Sequence, residues 1–196
     1  MNDLWSEENP DSWRAALNKY DAVIARQGSN RLPTHDRWYR EEAHTTIISR
    51  RPPFVTLDEL AKMTEWKMSR GTWRQRNLVL VRSNSPELVE QTSREALANV
   101  PDAKKPISIL SRLSGVGPAT ASAVAAAAAP EVYPFFDDLV AEQIDGLGKI
   151  GFTSSFYGRY SDAIRARAER LGPGWTPAMV ERALWANSGG KAGPED

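Results

Sequence analysis

The 196-residue chain contains no cysteine. Disulfides, a thiol nucleophile, thiolate zinc sites and cysteine-ligated iron–sulfur clusters are thereby excluded. Histidine is nearly missing too: His35 and His44 are the two present, and they stand on no recognised ligand spacing, so no metal site is expected. Net charge is also lacking, since Lys+Arg and Asp+Glu both number 25. A neutral chain is a poor candidate for coating a polyanion without selectivity. No run approaches the roughly 18 apolar residues of a membrane helix, and the polar, acidic start from Met1 to Asp11 reads as neither signal nor transit peptide. The expectation is an intracellular protein, nuclear or cytoplasmic, monomeric and without a membrane partner.

What is present is ordinary in bulk, with 41% hydrophobic and 26% charged residues, but uneven along the chain. Residues 60–82 hold Lys62, Lys67, Arg70, Arg74, Arg76 and Arg82 against Glu65 alone. Residues 159–170 add Arg159, Arg165, Arg167 and Arg170 against Asp162 and Glu169. Local basic patches on a neutral chain suit a small footprint of phosphate contacts.

The pattern of apolar residues predicts helices throughout. Trp13, Ala16, Leu17, Tyr20, Val23 and Ile24 form one stripe, ended by Gly28. Arg31 to Asp36, holding Pro33, reads as a connector, and Trp38 to Ser49 as a second helix. Thr56 and Glu59 have capping-box spacing for a helix to about Ser69, after which Gly71 breaks the chain. Trp73 to Ser83 reads as helical, although Leu78-Val79-Leu80-Val81 alone also fits a strand. Ser85-Pro86-Glu87 opens another helix. Tyr157 to Leu171 is a long Arg-rich helix, and Thr176-Pro177 caps a last one carrying Val180, Ala183, Leu184 and Trp185. Trp13 and Trp185 both sit on apolar stripes, so the first and last helices are expected to pack together. With no internal repeat and no strand–helix alternation, the class is all-α: one domain over residues 1–187, followed by a small, polar tail at 188–196 expected to be disordered.

The informative segment is Leu110-Ser111-Arg112-Leu113-Ser114-Gly115-Val116-Gly117-Pro118-Ala119-Thr120-Ala121. Pro106 to Ser114 reads as a short helix facing inward through Ile107, Leu110 and Leu113. Gly115 and Gly117 permit a turn with positive φ, Val116 is placed to plug the core, and Pro118 suits the first position of a second helix. That helix, Pro118 to Ala129, has eight alanines in twelve residues, so its neighbours can approach closely. Amides at the glycine turn and helix start point outward at a positive dipole end, which is an anion site. A dinucleotide fingerprint would need a third glycine and a preceding strand, and a P-loop would need Gly-Lys-Ser/Thr; both are missing. An αα-corner with a glycine turn and no ligand remains open.

Leu113-Ser114-Gly115-Val116-Gly117-Pro118-Ala119-Thr120-Ala121, followed by Phe136-Asp137-Asp138-Leu139-Val140, resembles the helix-hairpin-helix (HhH-GPD) base-excision DNA glycosylases over roughly residues 106–145. Asp137 lies eighteen residues after Ala119, matching that family's spacing to its catalytic aspartate. The resemblance implies a two-lobed helical fold with the hairpin at residues 106–129 on the rim of a cleft. It implies double-stranded DNA, intact or damaged, as the partner. Gly115, Val116, Gly117, Ala119 and Thr120 would hold a backbone phosphate. Asp137 would stabilise positive charge on the sugar or activate water while the base leaves, and Asp138 would take the role if the loop were shifted by one residue. Ala119 stands where lyase-type members place a lysine, so Schiff-base cleavage from that position is excluded and the implied activity is monofunctional. No iron–sulfur cluster is implied; a monovalent cation at the hairpin is the one ion the resemblance allows. Phe136-Asp137-Asp138-Leu139 departs from the family's usual Val-Asp-Thr/Arg-His run. The whole chain is also similar to a eukaryotic group marked by Glu65-Trp66-Lys67, Arg70-Gly71 and Trp73-Arg74, for which the resemblance implies no activity.

Each candidate also has a plain structural role open to it. Asp137 is a good helix N-cap, worth about 1 kcal/mol, so it reads as cap alone or cap plus catalyst. Trp66 and Trp73 are an aromatic slot for a flipped base or two core anchors. Lys67, Arg70 and Arg74 are phosphate contacts or solvated cations, and Lys67 is also a remote candidate for an amine nucleophile. His44, beside Ile47 and Ile48, reads as a satisfied, partly buried histidine. Non-catalytic DNA binding and a protein-binding scaffold are the alternatives to chemistry.

Overall fold

The computed structural model describes residues 3–193, and among them every regular element is a helix. The alanine-rich segment explains the centre. In α9 (Pro118–Ala128) every residue after Pro118 is buried, because a helix apolar on all sides must be enclosed. Around it pack α4 (Ala43–Ser49), α5 (Leu57–Arg70) and α8 (Lys105–Leu110). Tyr39, on α3 (Leu32–Glu41), donates from its hydroxyl to Ala123 O at 2.7 Å, and His44 Nδ1 lies 3.1 Å from Ala127 O.

Helix ends follow the local sequence. Thr56 and Glu59 form the complete capping box of α5, and Arg50 grips Glu59 at 2.7 Å. Ser85 caps α7 (Pro86–Leu97) through Leu88 N. Thr153 and Thr176 cap α11 (Ser154–Leu171) and α12 (Pro177–Asn187) in the same way. The stripe from Trp13 to Ile24 divides into α1 (Pro10–Asn18) and α2 (Tyr20–Ala25), broken at Lys19. Pro33 does not sit in a connector; it occupies the first turn of α3, where its missing N–H costs nothing. Leu78 to Val81 lie in α6 (Gln75–Arg82), so the strand alternative fails. Both α1 and α11 pack along α12, and Trp13 meets Trp5 and Trp175 edge-on.

The expected disordered tail is corrected over residues 188–193. Ser188 and Gly190 are buried, residues Gly190–Ala192 form a 3-10 turn, and Gln27 Nε2 donates to Gly189 O at 3.0 Å. Glycines that permit left-handed φ let this short segment fold back onto Gln27, just after α2. Residues 194–196 of the predicted tail lie outside the described residues. No helix among those described is long and apolar enough to cross a membrane.

The two glycines of the α8–α9 turn have different jobs. Gly115 has φ +75°, and a Cβ there would meet Asn77 O at 2.7 Å and Leu80 Cβ at 2.8 Å on α6. At Gly117, φ is −94° and nothing lies within 4 Å of a built Cβ. Gly115→Ala is therefore expected to cost about 2–4 kcal/mol from left-handed strain plus overpacking. Gly117→Ala should stay within about 0.5 kcal/mol of wild type. Urea unfolding of the two variants checks this, and equal costs would contradict it.

Candidate functional site

The site begins with the loop that follows α9. Ser122 Oγ accepts from Phe136 N at 2.9 Å while donating to Ala119 O. From α11, Tyr157 donates to Pro134 O at 3.0 Å and Tyr160 to Phe135 O at 2.6 Å. These three hydroxyls fix residues 134–136 and deliver Asp137 to the start of α10 (Asp138–Ala141). Asp137 is the N-cap of that helix: its Oδ1 accepts from Leu139 N at 3.0 Å. Tyr157 and Tyr160 are fully buried braces of this loop.

Asp137 opens onto a cleft of about 370 Å³ lined by Lys67, Arg74, Gly117, Pro118, Ala119, Thr120, Phe136, Asp138, Phe152 and Lys191, among others. Elements distant in sequence thus converge: the end of α5, the residues before α6, the start of α9, the α10 cap and the C-terminal turn. The amides of Gly117, Ala119 and Thr120 have no hydrogen-bond acceptor among the described residues, and α9 lacks a side-chain cap. Free first-turn amides at a helix N-terminus attract anions.

Several predicted contacts change role. Val116 is buried and its amide donates to Leu113 O at 3.2 Å, so the residue anchors the turn and offers no free donor. Gly115 is backed by α6. Trp66 is not a cleft residue: it is fully buried, stacked on Tyr39 at 3.7 Å, and its indole donates to Asp36 at 3.0 Å. Trp73 is 41% exposed but faces Ser29, Arg31 and Met68, outside the cleft. Lys67 and Arg74 do reach the cleft. Burial, reinforced by Arg74, holds the Lys67 ammonium below the ordinary lysine value, while Asp137 and Asp138 oppose that shift.

Arg70 is the largest correction. The predicted phosphate contact is 2% exposed and does not line the cleft. Its guanidinium lies 4.4 Å from the Trp185 ring centroid and 5.1 Å from that of Phe135. One terminal nitrogen donates to Glu181 of α12, the other to Tyr20 Oη at 3.3 Å. Its Nε is 3.3 Å from Asp137 Oδ2, a charge-to-charge contact without hydrogen-bond alignment. Tyr20 in turn donates to Asp36 at 2.8 Å, and Asp36 accepts from Arg40 Nε at 2.7 Å.

Charge follows from this arrangement. Burial pushes the Asp137 carboxyl above the usual aspartate range, opposed chiefly by Arg70. Burial pushes Glu181 up to about 7, again opposed by Arg70, with Asp137 adding like-charge repulsion. Asp138 is half-exposed, 3.5 Å from Lys191 Nζ. Glu181 and Lys191 escaped sequence reasoning. The one available signal was a glutamate beside Val180 in the apolar stripe of the last helix.

Ion sites are less well supplied. No group of three or more His, Asp or Glu among the described residues is placed to hold a metal. A monovalent cation at the α8–α9 turn would need free turn carbonyls, and two are engaged: Ser114 O accepts from Asn84 Nδ2 at 3.0 Å and Leu113 O from Val116 N. No step below depends on such an ion.

No known protein family, curated protein or solved structure matches this chain.

Two outcomes follow from the buried charges. Arg70→Met should destabilise the protein by about 3–5 kcal/mol, because two desolvated carboxylates lose their shared cation; chemical denaturation reads this, and a cost below about 1 kcal/mol would contradict it. Glu181 titrates higher folded, at about 7, than its ordinary 4.5. The folded state therefore holds the extra proton between those values. The stability of wild type relative to Glu181→Gln is then greatest below pH 4.5, and it falls as pH rises to about 7 by on the order of 3 kcal/mol. A difference that stays flat over that window would contradict the assignment.

Proposed function

We propose that this chain is a DNA-binding protein of the helix-hairpin-helix glycosylase type, two-lobed about its cleft, with Asp137 as the carboxylate of N-glycosidic bond hydrolysis. The observation that carries the reading is the shared wall of the cleft. Gly117, Ala119 and Thr120, whose amides have no acceptor among the described residues, line the same 370 Å³ cleft as Asp137. A backbone phosphate seated on the α9 N-terminus would place its neighbouring nucleotide near Asp137, with Lys67, Arg74 and Lys191 supplying further positive charge. Phe152, 57% exposed on the cleft wall, offers an aromatic face to a base taken out of the stack. As the bond between base and sugar breaks, positive charge develops on the sugar. The base leaves with the bonding electron pair, an ionised Asp137 stabilises the charge on the sugar and accepts the proton of the water that bonds to it, and that proton passes on to the released base. Asp138, half-exposed and paired with Lys191, contributes to the local field.

A second reading, DNA binding without chemistry, draws on one specific observation. Both Asp137 oxygens already have structural work, one capping Leu139 N and one facing Arg70.

Single-turnover assays on a panel of damaged duplexes separate the two. Release of a free base by wild type, reduced about 100-fold or more in Asp137→Asn and little changed in Asp138→Asn, supports hydrolysis. Salt-dependent duplex binding with no base released supports the binding module. In either case Lys67→Ala and Arg74→Ala should each weaken binding across sequences and reduce the salt slope by about 1. Binding that is indifferent to salt, to these variants and to Gly117→Lys would remove the nucleic-acid reading and leave a protein-binding scaffold.

A further inference from the structure

Arg70 stands between two buried carboxylates that belong to different surroundings. Asp137, 7% exposed, faces the cleft. Glu181, 2% exposed, lines a different cavity of about 130 Å³ together with Tyr20, Tyr39, Arg40, His44 and Arg182. One guanidinium cannot fully neutralise two desolvated carboxylates, and its hydrogen bond is made to Glu181, leaving Asp137 with an unaligned contact at 3.3 Å. How much of Arg70 reaches Asp137 therefore depends on what Glu181 takes.

We propose that Glu181 is a positioning residue for the cleft: through the shared guanidinium of Arg70, its protonation governs how much of the Asp137 negative charge the cleft experiences. A protonated Glu181 leaves Arg70 to Asp137, and the two charges offset each other. An ionised Glu181 draws Arg70 toward α12, and the Asp137 charge is felt in full where the resemblance to glycosylases would place a cationic sugar. The consequence for catalysis rests on the reading of Asp137 above; the electrostatic coupling does not.

The charged and titratable surroundings are enumerable. Glu181 is faced by Tyr20 of α2, Asp36, Tyr39 and Arg40 of α3, His44 of α4, Arg70 of α5, Asp137 before α10, Tyr160 of α11 and Arg182 of its own helix. Asp137 is faced by Lys67 and Arg70 of α5, Asp138 of α10, Tyr160 of α11 and Lys191. The buried tyrosines hold their protons well above neutrality, and Asp36 is held by three donors, from Tyr20, Trp66 and Arg40. Burial places the Glu181 midpoint near neutral pH, at about 7.

Carboxyl 13C NMR titration of the free protein tests the coupling without DNA. The Asp137 signal, assigned by its loss in Asp137→Asn, should show a second inflection at the pH where the Glu181 signal itself titrates. Glu181→Gln should abolish that inflection and leave a single step. Reciprocally, Asp137→Asn should lower the Glu181 midpoint by about 1 unit, through loss of a like charge and release of Arg70. A role in packing alone would change the melting temperature without producing a two-step Asp137 curve. A wild-type Asp137 signal that is flat across the Glu181 titration, or a Glu181 midpoint unmoved in Asp137→Asn, overturns the proposal. If Glu181→Gln does not fold, the wild-type and Asp137→Asn curves decide. Absence of base release from every duplex would overturn hydrolysis while leaving these titrations, and the coupling, as they stand.

Discussion

A guanidinium in the interior is expensive to desolvate, and this fold is arranged to offset that cost at Arg70. Aromatic rings from Tyr20, Trp66, Phe135 and Trp185 surround it, each within 5.8 Å. The carboxylates of Glu181 and Asp137 neutralise it, and Tyr20 relays it to Asp36. One side chain at the end of α5 therefore ties α2, α12 and the loop before α10 to a common point. The last of these attachments also holds a wall of the cleft, the loop that carries Asp137. The geometry around Asp137 is inherited from this charge cluster, and from the pull that two acids exert on one base.

The second constraint is the small-residue helix. Because α9 presents mostly alanines, the flanking helices and the following loop lie close to its backbone, and Ser122 reaches Phe136 N directly. Tyrosine hydroxyls from α11 complete the support. Asp137 is consequently held through side-chain hydroxyls of α9 and α11 that bond the backbone of residues 134–136. The start of α9 and the aspartate share the cleft as products of one packing arrangement.

Charge in the cleft is mixed. Lys67, Arg74 and Lys191 stand with Asp137 and Asp138 in a protein with no formal net charge. Such a site favours a ligand that brings anionic and cationic character together. Arg76 and the Arg-rich α11 lie away from it, and Arg165 and Arg167 are spent on internal acceptors: Arg165 on Val132 O at 2.7 Å, Arg167 on Trp5 O at 2.6 Å. Counting cations along the chain thus overstated the basic surface.

Local chemistry was legible in the sequence because it depends on neighbours a few residues apart. The Thr56–Glu59 capping box, the Ser85 and Thr176 caps, the Gly115 turn, the Asp137 cap and the all-helical class all arise from short-range hydrogen bonding, steric limits and apolar periodicity. The sequence could not separate Trp66 and Arg70, which point into the core, from Lys67 and Arg74, which reach the cleft. These four lie within nine consecutive residues of similar chemistry. Which of them meets water depends on what packs against each face of α5. That was decided by Glu181, more than a hundred residues away, and by the rings of Tyr39 and Trp185. A charge is buried only when its partner arrives through tertiary contact, and that partner has no short-range signature.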